Sequence, residues 1–151
     1  MSRVVLDTSV IIEYIDRRGE YHEQAKVVFD AILLGKLKAI IPHPILSETY
    51  YVATRVYETL RLEQAGERAI KLVEWLYRLP TVIVKDADLS LAIEAGKVKL
   101  KYGIALTDCY VLASAKIYKG KAVFRKRERE MQSKLPNIEK EYPIIFLEDY
   151  T

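Results

Sequence analysis

Five short, mostly apolar segments recur along the chain, and each is separated from the next by one or two stretches with helical periodicity. The segments are RVVL at 3–6, LKAII at 37–41, TVIV at 81–84, AVF at 122–124 and PIIFL at 143–147. Short strands of this apolar kind are typical of a parallel sheet whose two faces are both covered by helices. We therefore predict an α/β fold, a three-layer α/β/α sandwich around a mainly parallel sheet of about five strands.

Amphipathic segments fill the intervals between these strands. Apolar residues repeat at helical spacing after the first strand and again in the segment 21–34, which Gly35 ends. Pro44 favours the start of a helix that carries Glu48. Further helices are expected at about 61–78, 87–100 and 107–118. The 151 residues suit one domain, 1–151, because no repeat, low-complexity run or linker divides them.

The composition excludes several classes of protein. Hydrophobic residues make up 50% of the chain and charged residues 30%, which argues against disorder and against a disulfide scaffold. Cys109 is the one cysteine and is expected to be a small buried side chain, so we expect no disulfide and a reducing, cytoplasmic compartment. We expect no signal peptide, because Asp7 and Glu13 interrupt the only apolar segment near the N-terminus. We also expect no membrane segment, because no stretch approaches the roughly 20 apolar residues of a membrane span. The net charge of +3 permits a polyanionic partner without requiring one.

Three acids lie in unusually apolar company. Asp7 follows the first strand in VVLDTSVII, Glu48 lies in PILSETYYVA, and Asp108 lies in GIALTDCYVLASA, which contains no other charge. Carboxylates are almost never fully buried without a partner, because the removal of an ion from water is costly. One explanation is local: Asp7 and Asp108 each cap a helix, and Glu48 pairs with a nearby cation.

The other explanation is a shared site. In open parallel sheets, ligands bind beyond the carboxyl ends of the strands, and these three acids can meet at that edge. Carboxylates about 5 Å apart repel each other by roughly 3 kcal/mol at an effective dielectric constant of about 20, so a cation would have to be present. Oxygen ligands favour Mg²⁺ or Mn²⁺. Zinc is disfavoured, because His22 and His43 lie away from these segments and are interpreted as surface or turn residues.

Such an ion indicates a particular chemistry. A divalent cation held by carboxylates can bind a phosphodiester, lower the pKa of a bound water and stabilise the leaving oxygen. This chemistry requires no nucleophilic side chain. The three acids therefore predict a metal-dependent nuclease.

The three acidic segments, in this order and spacing, resemble the PIN-domain proteins and in particular the VapC-type toxins of prokaryotic toxin–antitoxin pairs. Asp7 and Glu48 are 41 residues apart and Glu48 and Asp108 are 60 apart, so the likeness covers almost the whole chain. The resemblance implies a small α/β/α sandwich, a divalent-metal-dependent endoribonuclease acting on RNA, a frequent homodimer and inhibition by a cognate antitoxin protein. It also assigns Asp7, Glu48 and Asp108 to the family's acidic positions, and Thr8 or Ser9 to the hydroxyl after the first acid.

The chain departs from that family after the predicted fourth strand. PIN domains commonly carry a fourth acid there, whereas this sequence reads VFRKRERE and Lys126 stands at the expected position. Glu128 is the candidate replacement as a metal ligand, either directly or through water. If Lys126 instead points inward, its charge offsets part of the carboxylate repulsion, and the protein then uses one ion or is inactive.

Basic and aromatic residues suggest how RNA could be bound. The run from Arg125 to Glu130 carries four positive and two negative charges, so Arg125 and Arg127 could hold phosphates beside the scissile bond, or the run is a solvated helix face. The chain also contains 11 tyrosines. Exposed tyrosines could stack on bases or form a dimer or antitoxin surface, whereas buried ones would fill the core.

Two functions from different classes are thus predicted. The first is a ribonuclease in which Asp7, Glu48 and Asp108 bind Mg²⁺ or Mn²⁺. The alternative is a non-catalytic PIN-like module that binds RNA or protein, since Lys126 replaces the usual fourth acid. A phospho-acceptor receiver domain is disfavoured, because its aspartate should follow a later central strand and only Asp86 is available there.

Overall fold

One parallel sheet forms the centre of the protein. The computed structural model describes residues 2–150 and contains the strands β1 (Ser2–Leu6), β2 (Leu37–Pro42), β3 (Val82–Lys85), β4 (Lys121–Phe124) and β5 (Ile144–Phe146). The strand order is β3-β2-β1-β4-β5, and every neighbouring pair is parallel. The predicted α/β class and five-stranded parallel sheet are confirmed. Because β3 is an edge strand, Asp86 does not follow a central strand, as a receiver domain would require.

Helices flank this sheet. They are α1 (Thr8–Ile15), α2 (His22–Leu33), α3 (His43–Thr59), α4 (Ala65–Arg78), α5 (Leu89–Tyr102), α6 (Leu106–Ile117), α7 (Arg129–Gln132) and α8 (Leu135–Glu141), followed by a 3₁₀ helix at Leu147–Tyr150. The first six correspond to the predicted helical segments, whereas α7, α8 and the 3₁₀ helix were not predicted. Within residues 2–150, no helix has both the length and the apolar character needed to cross a membrane.

The core lies against the central strands. Val5, Leu6, Ile41 and Val123 are completely excluded from solvent, and Ile40 is almost so. Burial of an aliphatic side chain of this size contributes about 1.5–3 kcal/mol relative to an exposed position. The apolar runs that predicted the strands therefore also supply much of the stabilisation of the sheet.

Left-handed backbone conformations set several helix boundaries. Gly35 and Gly103 follow the last turns of α2 and α5 with φ values of +77° and +69°, which residues with a Cβ rarely adopt. The predicted start of α4 near residue 61 is wrong, and the helix begins at Ala65. The reason is that Arg61 and Gln64 themselves have φ values of 57° and 55°, through which an α-helix cannot continue.

The carboxyl edge of the sheet brings the site-bearing helices together. The backbone N–H of Asp7 donates to the carbonyl of Val123 at 3.1 Å, so the residue after β1 is held against β4. Helix α1 starts immediately after Asp7, and α3 starts immediately after β2 and packs against α1. Both helices therefore begin at the edge where parallel sheets bind ligands.

Candidate active site

Asp7 caps a helix and also carries an unsatisfied oxygen. Its Oδ2 accepts hydrogen bonds from the backbone N–H of Ser9 at 3.0 Å and from Ser9 Oγ at 2.5 Å. Its Oδ1 is buried and has no hydrogen-bond partner among residues 2–150. The local explanation is thus confirmed for Oδ2, which caps α1, whereas the shared-site explanation stays a prediction. A buried carboxylate oxygen without a donor is costly, so Asp7 is suited to receive a cation.

Glu48 and Asp108 approach the same place from different helices. Glu48 lies in the second turn of α3, and its Oε2 accepts a hydrogen bond from Thr107 Oγ1 at 3.0 Å. Asp108 follows Thr107 in the first turn of α6, so it lies inside the helix and is not the N-cap, which is Ala105. The prediction that Asp108 could cap its own helix is therefore wrong.

Burial and neighbouring charges raise the pKa values of two of these acids. Burial, with a smaller contribution from the charge of Glu48, raises the pKa of Asp7 to about 6. Burial also raises the pKa of Asp108 to about 8, together with the charges of Asp7, Glu48 and Glu130. Both shifts have the sign expected for carboxylates that share a desolvated site without a cation.

The acid cluster has the donor chemistry of a divalent-metal site but not its spacing. In the part of the chain from 2 to 150, no group of three Asp, Glu, His or Cys side chains is spaced to hold a metal as the side chains stand. The chemistry of the donors nevertheless fits a hard cation, since Asp7 Oδ1 has no donor and neighbouring carboxylates raise the pKa values of Asp7 and Asp108. Asp7, Glu48 and Asp108 thus match such an ion in charge and ligand type.

Two acids that follow β4 lie near Arg125 and Asp108. The side chain of Glu128 is half-exposed and lies 3.9 Å from Nη2 of Arg125. Its role as a metal ligand stays a prediction. Glu130, which was not predicted as a site residue, contributes to the raised pKa of Asp108. It was missed because the short helix α7, which carries it, was not predicted.

Arg125 reaches the site and is held by a buried acid. Its backbone N–H donates to Ser9 Oγ at 3.1 Å, and its Nη1 donates to Glu13 Oε1 at 3.1 Å. Glu13 is only 4% exposed. Arg125 lines a cavity of about 240 Å³ together with Asp7, Thr8, Ser9, Ile12, Glu48 and Val52. The guanidinium group is therefore positioned beside the acids by residues of α1.

Glu13 is itself fixed by the turn after α1. Its Oε2 accepts the backbone N–H of Tyr21 at 3.1 Å, and a Cβ at Gly19 would lie 2.1 Å from that oxygen. Only glycine at position 19 therefore leaves room for this carboxylate. The sequence signal was available, because Glu13 lies between the apolar residues Ile11 and Tyr14.

Arg127 has partners away from the acids. It donates to Glu148 and to Asp149 at 2.7 Å each, and its guanidinium lies 4.3 Å from the centre of the Phe146 ring. Hydrogen bonds to these two acids raise its pKa, so its charge is already compensated by the C-terminal segment. A role of Arg127 in phosphate binding stays a prediction, and it would compete with these contacts.

The two histidines have partners outside the acid cluster, and Cys109 and Thr8 are buried. His22 Nδ1 is 2.8 Å from the carbonyl of Glu13, and His43 Nδ1 is 3.0 Å from Asp86. Cys109 is buried, as predicted, and burial raises the pKa of its thiol to about 11. Thr8 is buried beside Asp7, and its hydroxyl has no hydrogen-bond partner within the described residues 2–150.

The sequence model of the PIN domain family matches residues 4–131, which is most of the chain. The chain belongs to the PIN domain family. No curated protein sequence matches it.

Solved structures of VapBC complexes and of a VapC toxin have the same fold. The protein of a DNA-bound VapBC complex from Salmonella typhimurium is 20% identical with a TM-score of 0.67, over 97% of this chain and 99% of that one. VapBC2 from Rickettsia felis, bound to a promoter DNA fragment, gives 11% identity and a TM-score of 0.66 over 95% and 98% of the two chains. VapC20 from Mycobacterium tuberculosis, described as a toxin that cleaves the sarcin–ricin loop, gives 16% and 0.62 over 79% and 86%.

Proposed function

We propose that this PIN-domain protein is a metal-dependent endoribonuclease that acts as the toxin of a toxin–antitoxin pair. The observation that carries the proposal is the buried Oδ1 of Asp7, which has no hydrogen-bond partner within residues 2–150. Beside it, the charge of Glu48 raises the pKa of Asp7, and the charge of Asp7 raises the pKa of Asp108. A stable fold does not need such an arrangement, whereas a cation-binding site does. We also propose that residues 1–151 form a single domain.

Each side chain of the site has a distinct role in this proposal. Asp7, Glu48 and Asp108 would hold Mg²⁺ or Mn²⁺, and Glu128 or Glu130 could add a ligand from α7. When bound, such an ion polarises the phosphodiester and makes a bound water more acidic. Ser9 holds one oxygen of Asp7 through two hydrogen bonds and so leaves the other oxygen free.

Neutral and basic groups would orient the substrate. Thr107 restrains one oxygen of Glu48, which limits the positions that the carboxylate can adopt. Arg125, held by Glu13, presents a guanidinium group on the rim of the acidic cavity, where it can donate hydrogen bonds to a phosphate oxygen. Thr8 and Ser9 supply hydroxyl groups next to Asp7.

The partners are proposed from the fold neighbours. A toxin–antitoxin complex from Klebsiella pneumoniae has this fold, and so does VapC20, a toxin that cleaves the sarcin–ricin loop. We infer that an antitoxin protein and an RNA substrate bind this chain as well.

A homodimer is proposed on the basis of α5. Leu89, Ile93 and Leu100 are exposed on this helix, and their spacing places them on one face. Leu100 is 90% exposed, which is unusual for a large aliphatic side chain. A second copy of the chain would cover this stripe.

A non-catalytic binding module is the second candidate. Two observations favour it: Lys126 follows β4 in place of the usual acid, and no three acids among residues 2–150 are spaced for a metal as they stand. Such a module would bind RNA or protein equally well in the presence and absence of EDTA. A ribonuclease would lose its activity in EDTA.

The deciding experiment is cleavage of single-stranded RNA by the purified protein with Mn²⁺. Asp7→Asn removes the charge but keeps the cap hydrogen bonds, so it should leave folding intact and reduce the rate by at least about 100-fold. Asp86→Asn is the matched control, because Asp86 is 91% exposed and pairs with His43 outside the site. Equal cleavage by the two variants would reject the proposed mechanism.

A further inference from the structure

A cleft between α1 and α3 extends from Asp7 and Glu48 toward the C-terminal ends of both helices. The acidic cavity of about 240 Å³ occupies its beginning, and a second cavity of about 230 Å³ lies near the C-terminal ends of the two helices. Val52 lines both cavities, so they are direct neighbours. The second cavity is lined by Arg18 and Arg55, and Asp16 is its one acid among the described residues.

The two arginines of the second cavity are open to a ligand. Arg55 has no carboxylate at ion-pair distance among residues 2–150, and its guanidinium lies 5.4 Å from the centre of the Tyr51 ring. Arg18 is 73% exposed and lies 3.9 Å from Asp16, whose Oδ1 already accepts the backbone N–H of Arg18 at 3.0 Å. These contacts are weak or neutral, so a phosphate would face little competition.

The arginines that the sequence suggested are in a different situation. Arg125 is paired with buried Glu13, and Arg127 is paired with Glu148 and Asp149. Only Arg125 lines the acidic cavity itself. A single-stranded substrate that extends beyond the scissile phosphate along this cleft would therefore meet open cations at Arg18 and Arg55.

The helix dipole does not account for these arginines. The dipole favours cations within the last turn of a helix, but Arg18 lies three residues beyond α1 and Arg55 lies four residues before the end of α3. It also accounts neither for the cleft that connects them to Asp7 and Glu48 nor for the half-exposed Tyr51 ring beside Arg55.

We propose that the cleft between α1 and α3 binds the RNA strand on one side of the scissile bond, with Arg18 and Arg55 contacting its phosphates. This inference rests on the proposed ribonuclease function. Glu48, Val52 and Arg55 share one face of α3, and seven residues at 1.5 Å each place Arg55 about 10 Å along the helix from Glu48. That separation suits a phosphate beyond the one that is cut. Tyr51 offers a ring on which a base can stack.

The test measures RNA binding by the full-length Asp7→Asn protein, which leaves the RNA intact. Binding of a fluorescein-labelled single-stranded RNA is followed by anisotropy over a KCl series at fixed Mg²⁺. The added double change Arg18→Ala/Arg55→Ala should weaken binding about tenfold and reduce the slope of log Kd against log [KCl] by about 1.4, since each neutralised phosphate on a single strand contributes about 0.7. Oligo(U) and oligo(A) should lose affinity alike, because phosphate contacts do not read bases.

Two matched controls separate this role from a general charge effect. Arg17→Ala removes the same charge from the neighbouring position, which lines neither cavity, and should change the slope much less. Tyr51→Ala should weaken binding at least about fivefold without a change in slope, whereas Tyr51→Phe keeps the ring and the affinity. Melting temperatures should agree across these surface variants. If the double alanine variant melts earlier, Arg18→Gln/Arg55→Gln retains most of the side-chain packing and replaces it.

The outcomes distinguish this proposal from the ribonuclease function. If the wild-type protein cleaves RNA but the double variant binds it like Arg17→Ala, the cleft proposal is wrong and the function stands. If the wild-type protein neither binds nor cleaves RNA, both are overturned. If the double variant keeps its affinity for RNA but loses binding to the antitoxin encoded by a neighbouring reading frame, the cleft is a protein-docking surface and the proposal is again overturned.

Discussion

Two groups of carboxylates in this protein are in opposite electrostatic situations. At the carboxyl edge of the sheet, burial and neighbouring acids raise the pKa of Asp7 to about 6 and that of Asp108 to about 8. In the seam, the place where side chains of α5, α6 and α8 meet, hydrogen-bonded neighbours lower the pKa values of Glu94 and Glu141. Ionisation of the first group therefore destabilises the fold, whereas ionisation of the second group stabilises it.

The seam acids have cationic partners, whereas Asp7, Glu48 and Asp108 form no ion pair within residues 2–150. Burial opposes ionisation of Glu94, but Lys116 donates to it at 3.1 Å and Tyr142 at 2.9 Å, and these contacts lower its pKa. Lys101 donates to Glu141 and lowers its pKa in the same way.

This difference separates acids that stabilise the fold from the acids of the proposed site. Acids that stabilise the fold are satisfied by cations and hydroxyls from neighbouring helices. The edge acids lie close together with one oxygen of Asp7 unpartnered within residues 2–150, and they cost stability in the absence of a cation. Variants in the two groups of acids test this difference.

The largest effects are expected from two variants with opposite outcomes, one in each group of acids. Asp108→Asn should reduce RNA cleavage at least about 100-fold and raise the metal-free free energy of unfolding at about pH 8 by about 2 kcal/mol. Glu94→Gln should do the reverse, leaving cleavage unchanged and lowering stability by about 1 kcal/mol, because it weakens charge-assisted hydrogen bonds. Cleavage assays and urea denaturation measure both. Loss of stability in Asp108→Asn would contradict the distinction.

The next effect is the pH dependence of stability without metal. The folded pKa values of Asp7 and Asp108, about 6 and 8, exceed the ordinary value of 3.8, so folding favours the protonated forms. Their stabilising contribution is complete below about pH 4 and is lost as the pH rises through 6 and 8. Glu94 has the opposite sign, since its lowered pKa stabilises the fold above its ordinary value of 4.5 and that contribution is lost in acid.

Urea denaturation in EDTA should therefore show falling stability between about pH 5 and pH 8. Mn²⁺ should restore stability most strongly at the upper end, where the acids are ionised. Asp108→Asn serves as the control and should flatten the decline. A metal-free protein whose stability is constant over this range would show that the edge acids do not repel one another.

The smallest expected effects concern the two arginines after β4. Arg125→Ala should raise the KM for RNA about tenfold, because Arg125 lines the acidic cavity. Arg127→Ala should change the KM by about twofold or less, since Glu148 and Asp149 already compensate its charge. Steady-state cleavage of a short RNA measures both values. A larger effect for Arg127 would mean that its ion pairs open in the substrate complex.

Local patterns in the sequence predicted most of the fold. The apolar runs identified all five strands, because fully buried strands have few polar residues. Helices α7 and α8 escaped prediction, since seven residues or fewer provide too little periodicity. The start of α4 was misplaced because Arg61 and Gln64 adopt conformations that residue type does not reveal.

The candidate site could be predicted only in part. Asp7, Glu48 and Asp108 stood out as charges in apolar segments, and Glu13 could have been recognised in the same way. Thr107 gave no such signal, because a threonine at the start of a helix is ordinary. Its contact with Glu48 spans 59 residues of sequence.

Residue order was enough to predict the fold family, the strands and the three acids in apolar segments. The partners of each charged side chain follow from the packing of elements that are distant in the chain. Arg125 and Arg127 belong to one basic run, yet Glu13 of α1 holds the first beside the acids and the C-terminal acids compensate the second. The physical reason is that secondary structure follows from short-range periodicity, whereas the state of a charge depends on burial and on partners that are distant in sequence.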